Sequence, residues 1–183
     1  MKARLAAGDV EFNKWAVDRS PAYDLLELAF EVRPRETLAR LTVARPTGEV
    51  ETRLGHGTEL PYDDGSFARV VCRRGLQLLP DRGRALGEMR RVLARGGEIE
   101  VGVRGSIERN PPFAELADSL ERSTGARRAA AVRWLFSMPE PDDLWGVLAD
   151  AGFGEIRIDV VRTTDQDGLR ITTETIVGRA RRV

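Results

Sequence analysis

Apolar residues along this chain fall into short blocks whose spacing alternates between the strand and helix periods. In residues 21–30, Leu25, Leu26, Leu28 and Ala29 make an apolar stripe, Ser20 stands ready to cap it and Pro21 suits a first turn; this predicts a helix. Residues 38–44 (LARLTVA) alternate as a strand and are closed by Pro46, Thr47 and Gly48. Residues 49–54 (EVETRL) read as a second short strand.

Beyond Tyr62 the punctuation is sharper. Within LPYDDGSF, Asp63, Asp64, Gly65 and Ser66 form a turn in which Leu60 and Phe67 are expected to pack and the acids to face water. Residues 67–72 (FARVVC) are a mostly apolar strand. Pro80 and Asp81 open a helix to about Leu93, with Ala85, Leu86, Met89, Val92 and Leu93 on its apolar stripe and Gly96 and Gly97 as its stop. Residues 98–103 (EIEVGV) are a strand, and strand–helix–strand order predicts a crossover to a parallel neighbour. A segment of different grammar follows over residues 105–141. NPPF opens a helix near Pro112, RRAAAVRWLF gives a second helical piece, and SMPEP closes the excursion. Residues 142–151 form a helix ended by Gly152; residues 156–161 and 169–177 are strands joined by TTDQDG, whose Asp167 and Gly168 suit a hairpin. There is no internal repeat, low-complexity tract or linker.

Composition narrows the function classes. The 183 residues are expected to form one domain. Basic and acidic side chains number 29 each, so no net charge drives the chain toward nucleic acid or anionic membrane. Lys2 and Lys14 are the only lysines, a bias of composition toward arginine. Cys72 is the single cysteine and sits in an apolar run, which predicts a buried structural thiol. His56 is the single histidine; no cluster has metal-ligand spacing, and no metal is expected. The polar opening MKARLAAGDVEF is unlike a signal peptide, and no apolar run reaches spanning length, so a cytoplasmic location is expected.

Four pieces in order, GHGTELPYDDGSF, VVCRRGLQLLPD, ALGEMRRVLARGGEIEV and LWGVLADAGFGEIRI, make residues 55–158 resemble the class I S-adenosylmethionine-dependent methyltransferases, in particular the type-11 group related to quinone biosynthesis. The resemblance implies an α/β fold. It predicts a Rossmann-like methyltransferase sheet, truncated at its N-terminal half, mostly parallel, with an antiparallel C-terminal hairpin. It makes residues 1–183 one methyltransferase-like domain, with 105–141 as an inserted lid or substrate-covering segment. It implies S-adenosylmethionine as cofactor, contacted by His56, Gly57 and Thr58 after one strand and by Cys72 and Arg73 after the next. His56 stands where the family usually has the aspartate that accepts from the adenine amino group. A neutral imidazole accepts more weakly, and the alternative is a plain loop residue. Arg73 and Arg74 either bind an anion or are solvated at the surface. Gln77 and Arg104 follow strands on the crevice side and are either substrate contacts or surface residues.

The family's glycine-rich turn and ribose-binding acid are harder to find. In one placement, residues 32–48 match the approach to the family's first strand. Thr42, Ala44, Arg45 and Pro46 then stand where glycines belong, and a whole βα unit is missing. In the other, WAVDRSP (residues 15–21) is the second strand, Asp18 is the ribose acid, and the glycine turn lies before Met1. The first is preferred, because PAYDLLELAFEVRPRE (residues 21–36) also resembles the family's leading helix; both leave the cradle absent. Each lost contact costs on the order of 1–3 kcal/mol, so two or three weaken cofactor binding by powers of ten. The reading is therefore a methyltransferase-like protein with a degenerate cofactor site, serving as a small-molecule-binding or partner subunit. An active methyltransferase of a small metabolite is the alternative. A structural homodimer through Trp134, Leu135 and Phe136 is a third.

Overall fold

The computed structural model describes residues 24–33, 36–44, 49–73, 75–165 and 171–183. The chain runs β1 (Asp24–Arg33), β2 (Glu36–Ala44), β3 (Val50–Gly55), β4 (Phe67–Arg73), α1 (Arg82–Val92) and β5 (Leu93–Arg104). It continues with α2 (Pro111–Thr124), α3 (Ala126–Trp134), α4 (Pro141–Asp150), β6 (Gly154–Asp165) and β7 (Ile171–Arg181). All seven strands join in one sheet of order β3-β2-β1-β4-β5-β7-β6.

The sheet is built in two styles. β4 crosses through α1 to its parallel neighbour β5, as the strand–helix–strand pattern predicts. β1 is also parallel to β4, with Leu28 opposite Cys72. β1, β2 and β3, however, form an antiparallel meander, with Arg33 opposite Glu36 and Ala39 opposite Gly55. The C-terminal hairpin is antiparallel, as expected, and β7 lies between β5 and β6. The expectation of a mostly parallel sheet is thus corrected to a mixed one, because the N-terminal strands return directly instead of crossing through helices.

The helix predicted over 21–30 is the second correction. Residues 24–33 are strand β1, and residues 21–23 lie outside the described set. Leu26 and Leu28 are fully buried whereas Leu25 and Glu27 are half-buried, a period of two within what reads locally as a helical stripe. Open edges on both sides, β2 and β4, satisfy its backbone and decide the matter. The hairpin residues Asp167 and Gly168 lie outside the described residues.

The helix α1 begins where expected, its N-cap Asp81 accepting from the Arg84 N–H at 2.9 Å. It ends at Val92, before the glycines expected to stop it, and β5 starts at once with Leu93. Gly96 instead adopts φ 76° near the start of β5, where its N–H donates to the Arg182 carbonyl at 2.8 Å.

One face of the sheet carries the core. Leu26, Leu28, Val70, Cys72, Ile99, Val101 and Ile176 project from it against Leu86 and Met89 of α1 and Leu144 and Leu148 of α4. The other face carries charge. Glu27 pairs with Arg73 at 3.7 Å; Glu100 holds both Arg179, at 2.9 Å, and Arg69, at 3.4 Å; Arg179 reaches Asp159 at 2.7 Å. Burial pushes the Glu100 carboxyl above its ordinary range and the Arg69 guanidinium below its own.

Candidate functional site at the C-terminal edge of the sheet

β1, β3, β4 and β5 point the same way, so their C-terminal ends share one edge, where open α/β sheets bind ligands. His56, Gly57 and Thr58 follow β3 at that edge. His56 is exposed, and its carbonyl accepts from the Glu59 N–H at 3.1 Å, turning the chain back. Gly57 is buried, and the Thr58 carbonyl accepts from Arg84 Nε at 3.1 Å. From here the connection to β4 lies along α1. Arg91 fastens it there, donating to the Leu60 and Tyr62 carbonyls at 2.9 and 2.8 Å and to Asp64 and Glu88 at 2.7 Å. Leu60 and Phe67 are buried as the LPYDDGSF turn predicts, and Tyr62 stands edge-on to Phe67 at 4.9 Å. Asp64 does not simply face water; it is part of the Arg91 clamp.

Cys72 and Arg73 end β4. The Cys72 thiol is fully buried, and burial pushes its pKa up to about 12, which makes it the inert structural thiol expected. Arg73 is paired with Glu27 of β1. Arg74 lies outside the described residues.

These two clusters are kept apart. By strand order, His56 and Arg73 end strands three places apart, a span of about 14 Å. Between them the β1–β2 hairpin continues past the edge. Residues 30–33 run about 13 Å beyond the level of Arg73, and residues 36–38 about 10 Å beyond Gly55. Only two residues separate β1 from β2. Gly55, Gly57, Gly75 and Gly105 all lie at this edge, yet none has the left-handed φ of Gly65, Gly96, Gly125 and Gly152.

Gln77 and Arg104 stand together by topology, after neighbouring strands β4 and β5. Gln77 is buried in the short turn Leu76–Leu78, and its Oε1 has no hydrogen-bond partner among the described residues. Arg104 lies over the Phe113 ring at 4.5 Å and near Phe136 at 5.8 Å, so the first turn of α2 is seated on its guanidinium. Phe136 is buried against Phe113 at 5.3 Å, which leaves Trp134 alone exposed and breaks up the apolar patch expected over 134–136.

Sequence reasoning missed the polar residue that ties this edge together. Glu174 of β7 is 1% exposed, and its carboxylate receives Arg109 at 3.1 Å and Arg162 at 3.0 Å. Its N–H donates to Asn110 Oδ1 at 3.0 Å and its carbonyl accepts from the Gly105 N–H at 3.1 Å. A Cβ on Gly105 would collide with the Glu174 carboxylate and push it off its contacts with Arg109 and Arg162. Arg109 also reaches Glu140 at 3.3 Å, so both ends of the 105–141 excursion converge on one side chain. The hydrogen bond that Arg109 donates to Glu174 raises the Arg109 pKa above its ordinary value.

Residues 5–101 match the family described as methyltransferase domain, type 11. The chain belongs to it. This is a class I S-adenosylmethionine-dependent methyltransferase family, and the resemblance lies with its quinone-biosynthesis members. The chain is 30% identical over 124 residues to a ubiquinone/menaquinone biosynthesis C-methyltransferase of Geobacter, covering 62% of this chain and 52% of that protein. It is 28% identical over 162 residues to the demethylmenaquinone methyltransferase of Thermus thermophilus, covering 81% and 72%. It spans about half the length of the first of these relatives. Among solved structures, a SAM-dependent methyltransferase of Thermotoga maritima, described as a possible histamine N-methyltransferase, shares the fold with a TM-score of 0.50 at 20% identity. The two chains cover 70% and 62% of each other. The family match takes in both the 15–21 stretch with Asp18 and residues 32–48, the stretches on which the two placements rest. The strand parallel to β4 is β1, residues 24–33, a position that neither placement assigns to it. Among the described residues, no helix is long and apolar enough to cross a membrane.

Proposed function

We propose that this methyltransferase-like chain has a degenerate cofactor site, binds S-adenosylmethionine weakly or not at all by itself, and acts as a small-molecule-binding or partner subunit. The projecting β1–β2 hairpin carries the reading. A class I cradle needs bare backbone after its first strand and a continuous path to the adenine site. Here a two-residue return takes the place of a βα turn, and the ribbon stands between His56–Thr58 and Cys72–Arg73. The described residues at the edge do not make such a cradle, and no chemical step is assigned to the cofactor. Asp18, the candidate ribose acid, lies outside the described residues.

The acceptor side is better built. The buried Gln77 with its open Oε1 suits a substrate hydroxyl or amine, and the excursion over 105–141, seated on Arg104, is the candidate lid. The same open Oε1 favours the second reading, an active methyltransferase of a small metabolite, in which Gln77 would orient the acceptor. Isothermal titration with S-adenosylmethionine separates the two. No heat at micromolar concentrations is expected; micromolar binding, together with methyl transfer that Gln77→Ala abolishes without changing cofactor affinity, would install the enzyme reading instead.

A further inference from the structure

From the open edge of β6 we infer that a second copy of this chain pairs with it, strand against strand, about a two-fold axis through Ile158. β6 is 12 residues long and pairs only with β7 among the described residues. It contains neither proline nor lysine, and its single irregularity falls at its start, between Gly154 and Arg157. Such an edge is a template for another strand. Val160 and Val161, at its middle, are each 44% exposed.

The residue pattern selects the register. In an antiparallel pair with its two-fold normal to the sheet, facing residues have the same parity and sum to a constant. Centring on Ile158 sets Arg157 opposite the second copy's Asp159, twice over. On the helix-covered face it sets Val160 opposite Ile156 and Ile158 opposite itself. The Arg157 side chain has no ion pair or hydrogen bond among the described residues, and Asp159 is exposed with one oxygen on Arg179. Shifting the axis to Val160 sets Asp159 against Val161 and Ile158 against Arg162, which loses both charge pairs. The opposite edge, β3, has only 6 residues for pairing. The proposal does not depend on the cofactor reading.

The test is a cross-link. Facing Ile158 residues bring their Cα atoms to about 5 Å, within disulfide range, whereas the two Val160 residues stand about 13 Å apart. On mild oxidation Ile158→Cys is expected to form a covalent dimer at least about tenfold faster than Val160→Cys. Cys72 is buried and gives no background. Light scattering on the uncoupled chain should give twice the chain mass. Val160→Lys, at an exposed site that folding tolerates, should raise the dimer dissociation constant about tenfold or more. Leu54→Lys, on the β3 edge, should leave the dimer intact. A wild-type monomer at the highest soluble concentration overturns the inference, as does a dimer lost in Leu54→Lys or an Ile158→Cys chain that couples no faster than Val160→Cys.

Discussion

The meander β1–β3 and the α/β half from β4 to β7 lean on the same core but are held by different means. In the α/β half each layer is locked by side chains. α1 and α4 cover the sheet, Arg91 clamps the chain leading into β4, and Glu174 gathers the 105–141 excursion. The meander is held chiefly by its backbone ladder, the buried stripe Leu26, Leu28, Ala39, Leu41 and Val43, and the Glu27–Arg73 pair. The half that resembles its family most is the half in which strand ends are fixed by specific polar contacts. A sheet edge becomes a site where side chains hold loops in place, and a return of two residues leaves no loop to hold.

The sharpest way to break this comparison is to ask whether the two halves unfold together. Leu86→Ala in α1 and Leu41→Ala in β2 each remove a fully buried side chain, and each is expected to cost about 2–5 kcal/mol in urea unfolding followed by fluorescence and circular dichroism. One shared transition is expected, because both belong to one cluster. A separate early transition in Leu41→Ala would make the meander an appendage.

The next effect is at Glu174. Glu174→Ala leaves the Asn110 and Gly105 backbone bonds but strips Arg109 and Arg162 of their acceptor, at a cost of about 1–3 kcal/mol. Hydrogen exchange should quicken over residues 105–141 and stay unchanged in β1–β3. Uniform quickening would mean that the excursion is not held independently.

The smallest effect is in pH dependence. The Arg91 hydrogen bond holds the Glu88 carboxyl below its ordinary range, so its contribution is present above the unfolded value of about 4.3 and fades as pH falls through the lower folded value. Glu100 runs the other way. Burial raises it, so its contribution is present below that unfolded value and is lost as pH rises through the folded one. Denaturation from about pH 6 to about pH 3 should therefore show a shallower acid limb in Glu88→Gln and a steeper one in Glu100→Gln. Equal limbs in both variants would refute the assignment.

The α/β half was legible in the sequence because its signals are local. Asp81 caps, Gly152 stops at φ 79°, and the apolar spacing of Leu86 and Met89 survives any tertiary context. β1 was not legible. Leu25, Leu26, Leu28 and Ala29 satisfy a helical stripe as well as a strand, and only the partners on either side choose between them. At the candidate site, the position of Gln77 and Arg104 at one edge of the sheet follows from their place at the ends of strands. Glu174 does not, since a lone acid in ITTETIVG has no neighbour in sequence to betray it; Arg109 is 65 residues away.

The Glu174 knot also has an evolutionary consequence. With Gly105, Arg109 and Asn110 bonded to Glu174, and Glu140 held in turn by Arg109, the stretch between these feet is free to lengthen at only about 0.6 kcal/mol per doubling. The protein thus has a socket into which helical caps of other sizes can be exchanged while the sheet beneath stays the same.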